Sequence, residues 1–201
     1  MPNLKHFKKS VPNKKDELYT PKILVDVIVP YIPKDKIVWC PFDTENSEFV
    51  LTLQEGGIQV VYSHIATGHD FFKYTPPEYD YIISNPPFST KLKVFQRLYA
   101  LGKPFAMIMG LPVLNYQQMG EFFYSQNSDL QLLIVDKKVS FDGNPSSFNN
   151  SYFCKDILPR DLVFEHLEHN NTGKFYIPSR MYKDFLRECI KMLDLLKINE
   201  G

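Results

Sequence analysis

The residues best suited to chemistry follow one apolar segment of the chain. Tyr79 to Ser84 predicts a buried strand, and Asn85-Pro86-Pro87-Phe88 comes directly after it. In an open parallel sheet, ligands bind at the carboxyl ends of the strands, which is where this tetrapeptide would lie. The two prolines restrict the backbone, so that its carbonyl groups project into the cleft. Asn85 supplies an uncharged acceptor oxygen, and Phe88 supplies a flat apolar face.

Such groups are suited to holding a planar ring that carries an amino group. The lone pair of that nitrogen is delocalised into the ring, which makes it a poor nucleophile. Two acceptors for its N–H groups, the Asn85 side-chain oxygen and the Pro86 carbonyl, would favour a pyramidal nitrogen with an available lone pair. These hydrogen bonds strengthen as positive charge develops on the nitrogen, so they stabilise the transition state of an alkylation. Phe88 would stack on the ring, a contact worth about 1–3 kcal/mol.

Asn85-Pro86-Pro87-Phe88 resembles the catalytic (Asp/Asn)-Pro-Pro-(Tyr/Phe) motif of the amino-group methyltransferases, above all the DNA adenine-N6 enzymes. The resemblance implies an α/β fold with a Rossmann-like, seven-stranded, mostly parallel sheet and helices on both faces, the class I methyltransferase fold. It also implies S-adenosyl-L-methionine as the cofactor and a target base that is flipped out of its helix. The resemblance covers about residues 17 to 155 and is most detailed between 79 and 90.

Further segments match the family in the expected order and supply its cofactor-binding positions. Tyr19-Thr20-Pro21 resembles the N-terminal motif that borders the methionine end of the cofactor. Asp43 follows the first predicted strand and is the carboxylate expected to meet the ammonium group of the cofactor, with Glu45 as the alternative. Asp70 lies in a segment that resembles the one whose acidic side chain accepts from the cofactor's adenine amine. The cofactor-binding residues that the resemblance implies are Tyr19, Thr20, Pro21, Pro41, Asp43, Ser63, His64, Asp70, Phe71 and Asn85.

Two positions depart from the family pattern. The cofactor loop of the family is rich in glycine, which lets the backbone approach the methionine moiety closely, but the segment from Pro41 to Ser47 contains none. The second strand of the family ends in an acidic residue that holds the ribose hydroxyls. Here Ser63 or His64 would have to take that role. Both departures favour weak or unusually arranged cofactor binding.

The elements that must position these residues alternate between helix and strand, which is typical of a mostly parallel sheet. The first helix is expected to begin with the Thr20 hydroxyl as its cap and Pro21 at its first position. Predicted helices run from Thr20 to about Val29, from Ser47 to the Gly56-Gly57 stop, from Lys91 to Leu101, near Gln117 to Tyr124 and from Ser179 to Leu196. Predicted strands lie at 37–40, 59–62, 79–84, 105–109, 132–135 and 152–154. Residues 1–16 form a basic N-terminal arm, and 17–201 form a single domain that includes the C-terminal helix.

Composition narrows the class of protein. The 201 residues are enough for one good core, and 44% hydrophobic and 14% aromatic content indicate a globular chain. The chain shows no membrane-spanning run and no signal peptide, and its three cysteines lie far apart, so we expect a cytoplasmic protein. His166-x-x-His169 has the spacing of metal ligands on a helix, but surface histidines beside carboxylates are usually only solvated, and we expect no metal.

The charge balance bears on the partner. The 23 basic and 23 acidic side chains cancel, whereas proteins that hold duplex DNA tightly usually show a basic excess. The first fifteen residues are locally basic, which predicts either a solvated arm or one that contacts phosphates. The chain after the predicted sheet is short for a sequence-recognition region. We therefore expect a nucleic acid, DNA above all, bound with low sequence specificity, as a single strand or through a recognition partner.

Three functions remain open. The leading hypothesis is methylation of adenine N6 in DNA by a small, phage-like enzyme. RNA guanine-N2 and protein glutamine-N5 methyltransferases also use Asn-Pro-Pro-(Tyr/Phe), and Tyr19-Thr20-Pro21 favours adenine because those relatives usually carry a larger N-terminal domain. The third hypothesis is a catalytically silent nucleotide-binding module of the same fold, which the glycine-free loop suggests. The sequence predicts neither the target sequence nor the oligomeric state.

Overall fold

A computed structural model describes residues 20–139 and 150–167, and its central element is a seven-stranded sheet. The strands are β1 (Ile37–Cys40), β2 (Gln59–Tyr62), β3 (Tyr81–Ser84), β4 (Phe105–Gly110), β5 (Gln131–Val135), β6 (Asn150–Lys155) and β7 (Leu162–Glu165). Their order across the sheet is β2-β1-β3-β4-β6-β5-β7. β6 runs antiparallel to β4 and β5, and the other paired strands are parallel. This is the mostly parallel α/β sheet that the sequence predicts.

Helices cover both faces of the sheet, because alternate residues of each buried strand point to opposite sides. The helices of the described ranges are α1 (Lys22–Ile28), α2 (Glu48–Glu55), α3 (Lys91–Leu101) and α4 (Gln117–Ser125). Apolar side chains of α1 and α2 form one core with Val38 and Ile83 of the sheet. Those of α3 and α4 form a second core with Trp39, Ile82 and Met107. The predicted placement of helices on both faces is therefore confirmed.

Most predicted elements agree with the structure to within two residues. β1, β2 and α3 have the predicted bounds, and α2 ends at Glu55, directly before Gly56 and Gly57, the latter at φ +77°. β3 begins two residues later than expected. Asp80, which directly precedes it, forms two hydrogen bonds with Ile37: its backbone N–H donates to the Ile37 carbonyl at 2.8 Å, and its carboxylate accepts from the Ile37 N–H at 3.0 Å. The predicted 1–16 arm, the 179–196 helix and Tyr19 lie outside the described residues.

β7 was not predicted from the sequence. It pairs with β5 in parallel and buries only alternate residues, Val163 and Glu165, whereas Leu162 and Phe164 are exposed. A four-residue strand with one exposed face at the end of a sheet gives a weak sequence signal. His166 follows this strand and its Nδ1 contacts the Asp136 carboxylate, so the idea that it stands on a helix is wrong. His169 lies outside the described residues.

The expected capping of the first helix was also wrong. α1 begins at Lys22, its N-cap is Pro21 in an extended conformation (φ −64°, ψ 141°), and no side chain caps it. The buried Thr20 hydroxyl instead accepts a hydrogen bond from the Asn85 side-chain amide at 3.1 Å. The segment before α1 is therefore joined to the end of β3.

Within the described ranges, no helix is long and apolar enough to cross a membrane. The same ranges contain no cluster of three or more histidine, cysteine, aspartate or glutamate side chains with the spacing of a metal site.

Candidate active site

The candidate active site lies between β1 and β3, where the order of the strands across the sheet reverses. β1 has β2 on one side and β3 on the other, so the connections that follow β1 and β3 leave in opposite directions. In open α/β sheets the crevice beyond the carboxyl ends of two such strands is the usual place for a ligand. The segments Pro41–Asp43 and Asn85–Phe88 follow these two strand ends.

Asp43 is a buried carboxylate at the end of β1. It is only 7% exposed, and its Oδ2 accepts a hydrogen bond from the hydroxyl of Ser84, the last residue of β3. Its backbone N–H donates to the Ser63 carbonyl at 3.2 Å. Burial raises the pKa of Asp43 to about 6, although hydrogen bonds from Ser84 and Ser47 oppose the rise. At neutral pH the site therefore holds a poorly solvated negative charge, which would attract a cationic group.

The end of β2 is tied to the end of β1 through Ser63. The Ser63 backbone N–H donates to the Cys40 carbonyl at 3.0 Å, and its hydroxyl accepts from Trp39 Nε1 at 2.9 Å. Ser63 is 3% exposed, so its hydroxyl lies in the core and orients the indole. His64 is half-buried, and its Nδ1 accepts from the Ala66 N–H at 3.1 Å. Of the two predicted ribose-binding residues, His64 is the one with solvent access.

The segment after β2 contributes an aromatic support behind Trp39. Phe71 is 2% exposed, and its ring centroid lies 5.5 Å from that of Trp39 and 4.9 Å from that of Phe42. The Asp70 carboxylate accepts from the Phe72 N–H at 3.0 Å and lies 3.8 Å from the Lys73 ammonium. Phe71 therefore packs in the core, and Asp70 stabilises its own turn.

The residues of the tetrapeptide after β3 differ in burial. The Asn85 side chain is oriented by its hydrogen bond to Thr20, and Pro86 is buried. Pro87 is extended (φ −62°, ψ 130°) and leads into a short 3-10 turn, Phe88–Thr90. Phe88 is half-buried and belongs to neither core. Part of its ring is therefore accessible to solvent.

Sequence reasoning missed three polar residues at this end of the sheet. Ser84, which is fully buried, provides the hydrogen bond to Asp43. Asn150 and Ser151 lie opposite Gly110 and Met109 of β4 and are 1% and 2% exposed, yet Asn150 Nδ2 and Ser151 Oγ have no hydrogen-bond partner in the described ranges. Buried polar atoms of this kind cost about 1–3 kcal/mol unless something pairs with them. Polar residues at the start of an apolar strand were the available signal.

Comparisons with known proteins support the fold. No protein-family model matches the sequence, and no curated protein matches it. Among solved structures, the chain is similar to a modification subunit of a putative type I restriction enzyme from Vibrio vulnificus YJ016, with a TM-score of 0.54 and 11% identity over 88% of this chain and 53% of that one. The chain thus spans about half the length of that subunit. At this identity, the similarity shows a shared Rossmann-like α/β fold.

Two further structures lie below a TM-score of 0.5. One is a putative class I S-adenosylmethionine-dependent methyltransferase from Listeria monocytogenes (TM-score 0.47, 10% identity, 80% of this chain and 69% of that one). The other is a dimethyladenosine transferase from Plasmodium falciparum (TM-score 0.43, 13% identity, 69% of this chain and 61% of that one). The assignment of the fold rests on the sheet itself and on the Vibrio subunit.

Proposed function

We propose that this chain is an S-adenosylmethionine-dependent methyltransferase that acts on an exocyclic amino group, N6 of adenine in DNA. The observation that carries the proposal is a pair of hydrogen bonds, one between Asn85 and Thr20 and one between the buried Ser84 and Asp43. Both lie at the ends of β1 and β3, where the strand order of the sheet reverses. Two strand ends thereby offer an oriented carboxamide and a carboxylate, which are the groups that an amine acceptor and a cationic cofactor require.

The residues at the end of β1 fit the methionine end of the proposed cofactor, which supplies an electrophilic methyl group on a positively charged sulfur. Asp43 is the buried carboxylate that would hold the ammonium group. The Asp43 backbone N–H already donates to the Ser63 carbonyl. This loop would therefore contact the cofactor through the Asp43 side chain, whereas a glycine-rich loop would contact it through its backbone. His64, at the end of β2, is the residue placed for the ribose hydroxyls.

Asn85 and Pro86 would hold the amine to be methylated. The Thr20 hydroxyl accepts a hydrogen bond from the Asn85 amide and so orients the carboxamide, whose oxygen would accept an N–H of the substrate. The Pro86 carbonyl accepts the second N–H, and Phe88 stacks on the ring. Asparagine is not a base, so the proton leaves after methyl transfer, through water or a neighbouring carbonyl.

Adenine in DNA is preferred over guanine N2 and glutamine because of the segment before α1. Tyr19-Thr20-Pro21 resembles the adenine enzymes, and Thr20 is the residue that contacts Asn85. The structure with the same fold is named as a modification subunit of a putative type I restriction enzyme. DNA is therefore the first substrate to test, and RNA and protein are the matched alternatives.

A catalytically silent module is the second candidate, and one observation favours it. The Asp43 carboxylate and its backbone N–H both have partners inside the protein, Ser84 and Ser63. A loop satisfied in this way is stable without a ligand. Calorimetry with S-adenosylmethionine separates the two candidates, because a silent module of this kind would show no binding at millimolar cofactor.

The reaction is tested by incubating the chain with labelled S-adenosylmethionine and separate pools of unmethylated DNA, RNA and protein. Mass analysis of the labelled product should give N6-methyladenine from DNA. Asn85→Ala should abolish the label, whereas Gln96→Ala, which removes an exposed carboxamide from α3, should leave it unchanged. Label that appears only in RNA or in protein would contradict the proposed acceptor.

A further inference from the structure

A groove lies beside the candidate active site, between the amino ends of α3 and α4. It has a volume of about 800 Å³, and its walls are formed by residues 89–93 and 115–119. The first wall continues directly from Phe88, and the second follows the end of β4. Because β3 and β4 are parallel neighbours, both walls stand at the same end of the sheet as Asn85.

The groove is locally basic although the chain has no net charge. Lys91 and Lys93 line it, no acidic residue does, and neither lysine forms an ion pair within the described ranges. The carboxylate next along α4, that of Glu121, accepts a hydrogen bond from Gln117 Nε2 at 2.8 Å. The groove therefore offers two positive charges to an anion that enters it.

An exposed aromatic ring forms part of the second wall. Tyr116 is 51% exposed, and the Lys91 ammonium lies 4.7 Å from the centroid of its ring. Asn115 and Gln118 add carboxamides, which can both donate and accept hydrogen bonds. Cations, an exposed aromatic face and carboxamides in one groove match the phosphates, the ring faces and the polar edges of a polynucleotide.

We propose that this groove binds the nucleotides that flank the target base in a single strand of DNA. Lys91 and Lys93 contact phosphates, and an unpaired base stacks on Tyr116. The inference rests on the proposed function for the identity of the nucleic acid, and it adds the form of the substrate. A duplex covers the faces of its bases by stacking, so only an unpaired strand can use the tyrosine. Two lysines neutralise few phosphates, which agrees with the absence of a basic excess.

Binding alone tests the groove, without any methyl transfer. The probe is a fluorescently labelled DNA strand of about 12 nucleotides, titrated with the whole chain and followed by anisotropy at several salt concentrations. Lys91→Met with Lys93→Met should reduce the slope of log affinity against log salt by about 1.4, because each phosphate contact on a single strand contributes about 0.7. Tyr116→Ala should weaken binding roughly tenfold, and Tyr116→Phe should restore it.

A matched control comes from the opposite end of the sheet. The Lys103 ammonium lies 5.6 Å from the ring of Tyr79, which repeats the lysine–tyrosine contact away from the groove. Lys103→Met should leave both the affinity and the salt slope unchanged. If Lys103→Met weakens binding as much as the groove variants do, the DNA is held by general charge and the proposal is overturned.

Further comparisons separate this inference from the proposed function. A duplex of the same sequence should bind more weakly than the single strand, and an equal or stronger duplex would contradict stacking on Tyr116. Tighter binding of the RNA strand would overturn the assignment to DNA. If the groove variants lose affinity for DNA but the chain methylates nothing, DNA binding by the groove is supported and the proposed methyltransferase function is contradicted. If methylation of single-stranded DNA is unaffected by the groove variants, the function stands and the groove fails.

Discussion

The two ends of the sheet differ in how far their polar groups are buried. At the amino end, Asp80 joins β3 to Ile37 of β1 through two hydrogen bonds, and Lys103 lies over Tyr79 at the surface. At the carboxyl end, near the ends of β1 to β4, several polar side chains are buried. They are Thr20, Asp43, Ser63, Ser84, Asn150 and Ser151.

This contrast indicates which end of the sheet contains groups that lower the stability of the protein. A buried polar group destabilises a protein unless it is hydrogen-bonded, and a buried charge costs more. At the amino end, the Asp80 carboxylate accepts a hydrogen bond, whereas the carboxyl end retains a buried carboxylate with a raised pKa and, within the described ranges, the unpaired side-chain atoms of Asn150 and Ser151. Perturbed groups in a cleft are typical of functional sites. Substitutions at the amino end should therefore change stability, and those at the carboxyl end should change activity.

The largest effect is expected from Asn85→Ala. Loss of the acceptor for the substrate amine should lower kcat by about 10²- to 10³-fold, the usual loss for one preorganised hydrogen bond in a transition state. Asp80→Ala is the comparison at the other end, and it should lower the free energy of unfolding by about 1 kcal/mol with kcat unchanged. Steady-state kinetics and urea unfolding of both variants test the division. A large loss of kcat in an Asp80→Ala protein that is fully folded would contradict this division between the two ends of the sheet.

Asp43→Asn should weaken cofactor binding by roughly tenfold to a hundredfold, because the variant lacks the charge proposed to hold the ammonium group. Isothermal calorimetry measures the dissociation constant directly. Asp35→Asn, which changes an exposed carboxylate before β1, is the control and should bind the cofactor normally. Equal affinity in the Asp43 variant would remove this residue from the site.

The same residue predicts a dependence of stability on pH. The pKa of Asp43 is about 6 in the folded state against an ordinary value of 3.8, so the protonated form is the one that folding favours. Its contribution is present below pH 3.8 and is lost as the pH rises through about 6. The loss amounts to about 3 kcal/mol at neutral pH. As the pH rises from about 4 to 7, the unmodified chain should therefore lose stability relative to Asp43→Asn, whose side chain does not ionise. A constant difference from pH 4 to pH 7.5 would contradict the raised pKa.

The smallest effect is expected from Thr20→Val, which removes the hydroxyl that orients Asn85 but not the carboxamide itself. The kcat should fall by about tenfold, the equivalent of one ordinary hydrogen bond, and the affinity for the cofactor should change little. Thr52→Val on α2, where the hydroxyl accepts from Lys22 at 3.2 Å, is the matched control and should leave kcat unchanged. A similar loss of kcat in both variants would show that the Thr20 effect is one of general packing.

Local signals predicted most of the fold. An apolar run followed by proline marked β1, and the 3.6-residue periodicity followed by two glycines marked α2 and its end. β7 escaped because half of its four residues face solvent. The first helix was placed correctly, but the role of Thr20 was not, because its partner lies 65 residues away along the chain.

The same limit applies to the candidate site. Asp43 and Asn85 could be predicted because each follows a strand within a motif that resembles a known family. The bond between Ser84 and Asp43 could not, because it joins residues 41 positions apart and only the folded sheet brings them together. The roles of Phe71 and Ser63 were equally hidden, since burial behind Trp39 is decided by tertiary packing. The assignment of each residue to cofactor or substrate stays a prediction until a ligand is bound.

The most direct test is a single-turnover measurement of methyl transfer to a single-stranded DNA that contains one adenine. With labelled S-adenosylmethionine and excess protein, we expect the label at N6 of that adenine, and we expect its loss in Asn85→Ala with cofactor binding retained. Binding of the cofactor with no transfer to the adenine, or transfer that persists in the Asn85 variant, would contradict the claim that the carboxamide at the end of β3 holds the reacting amine.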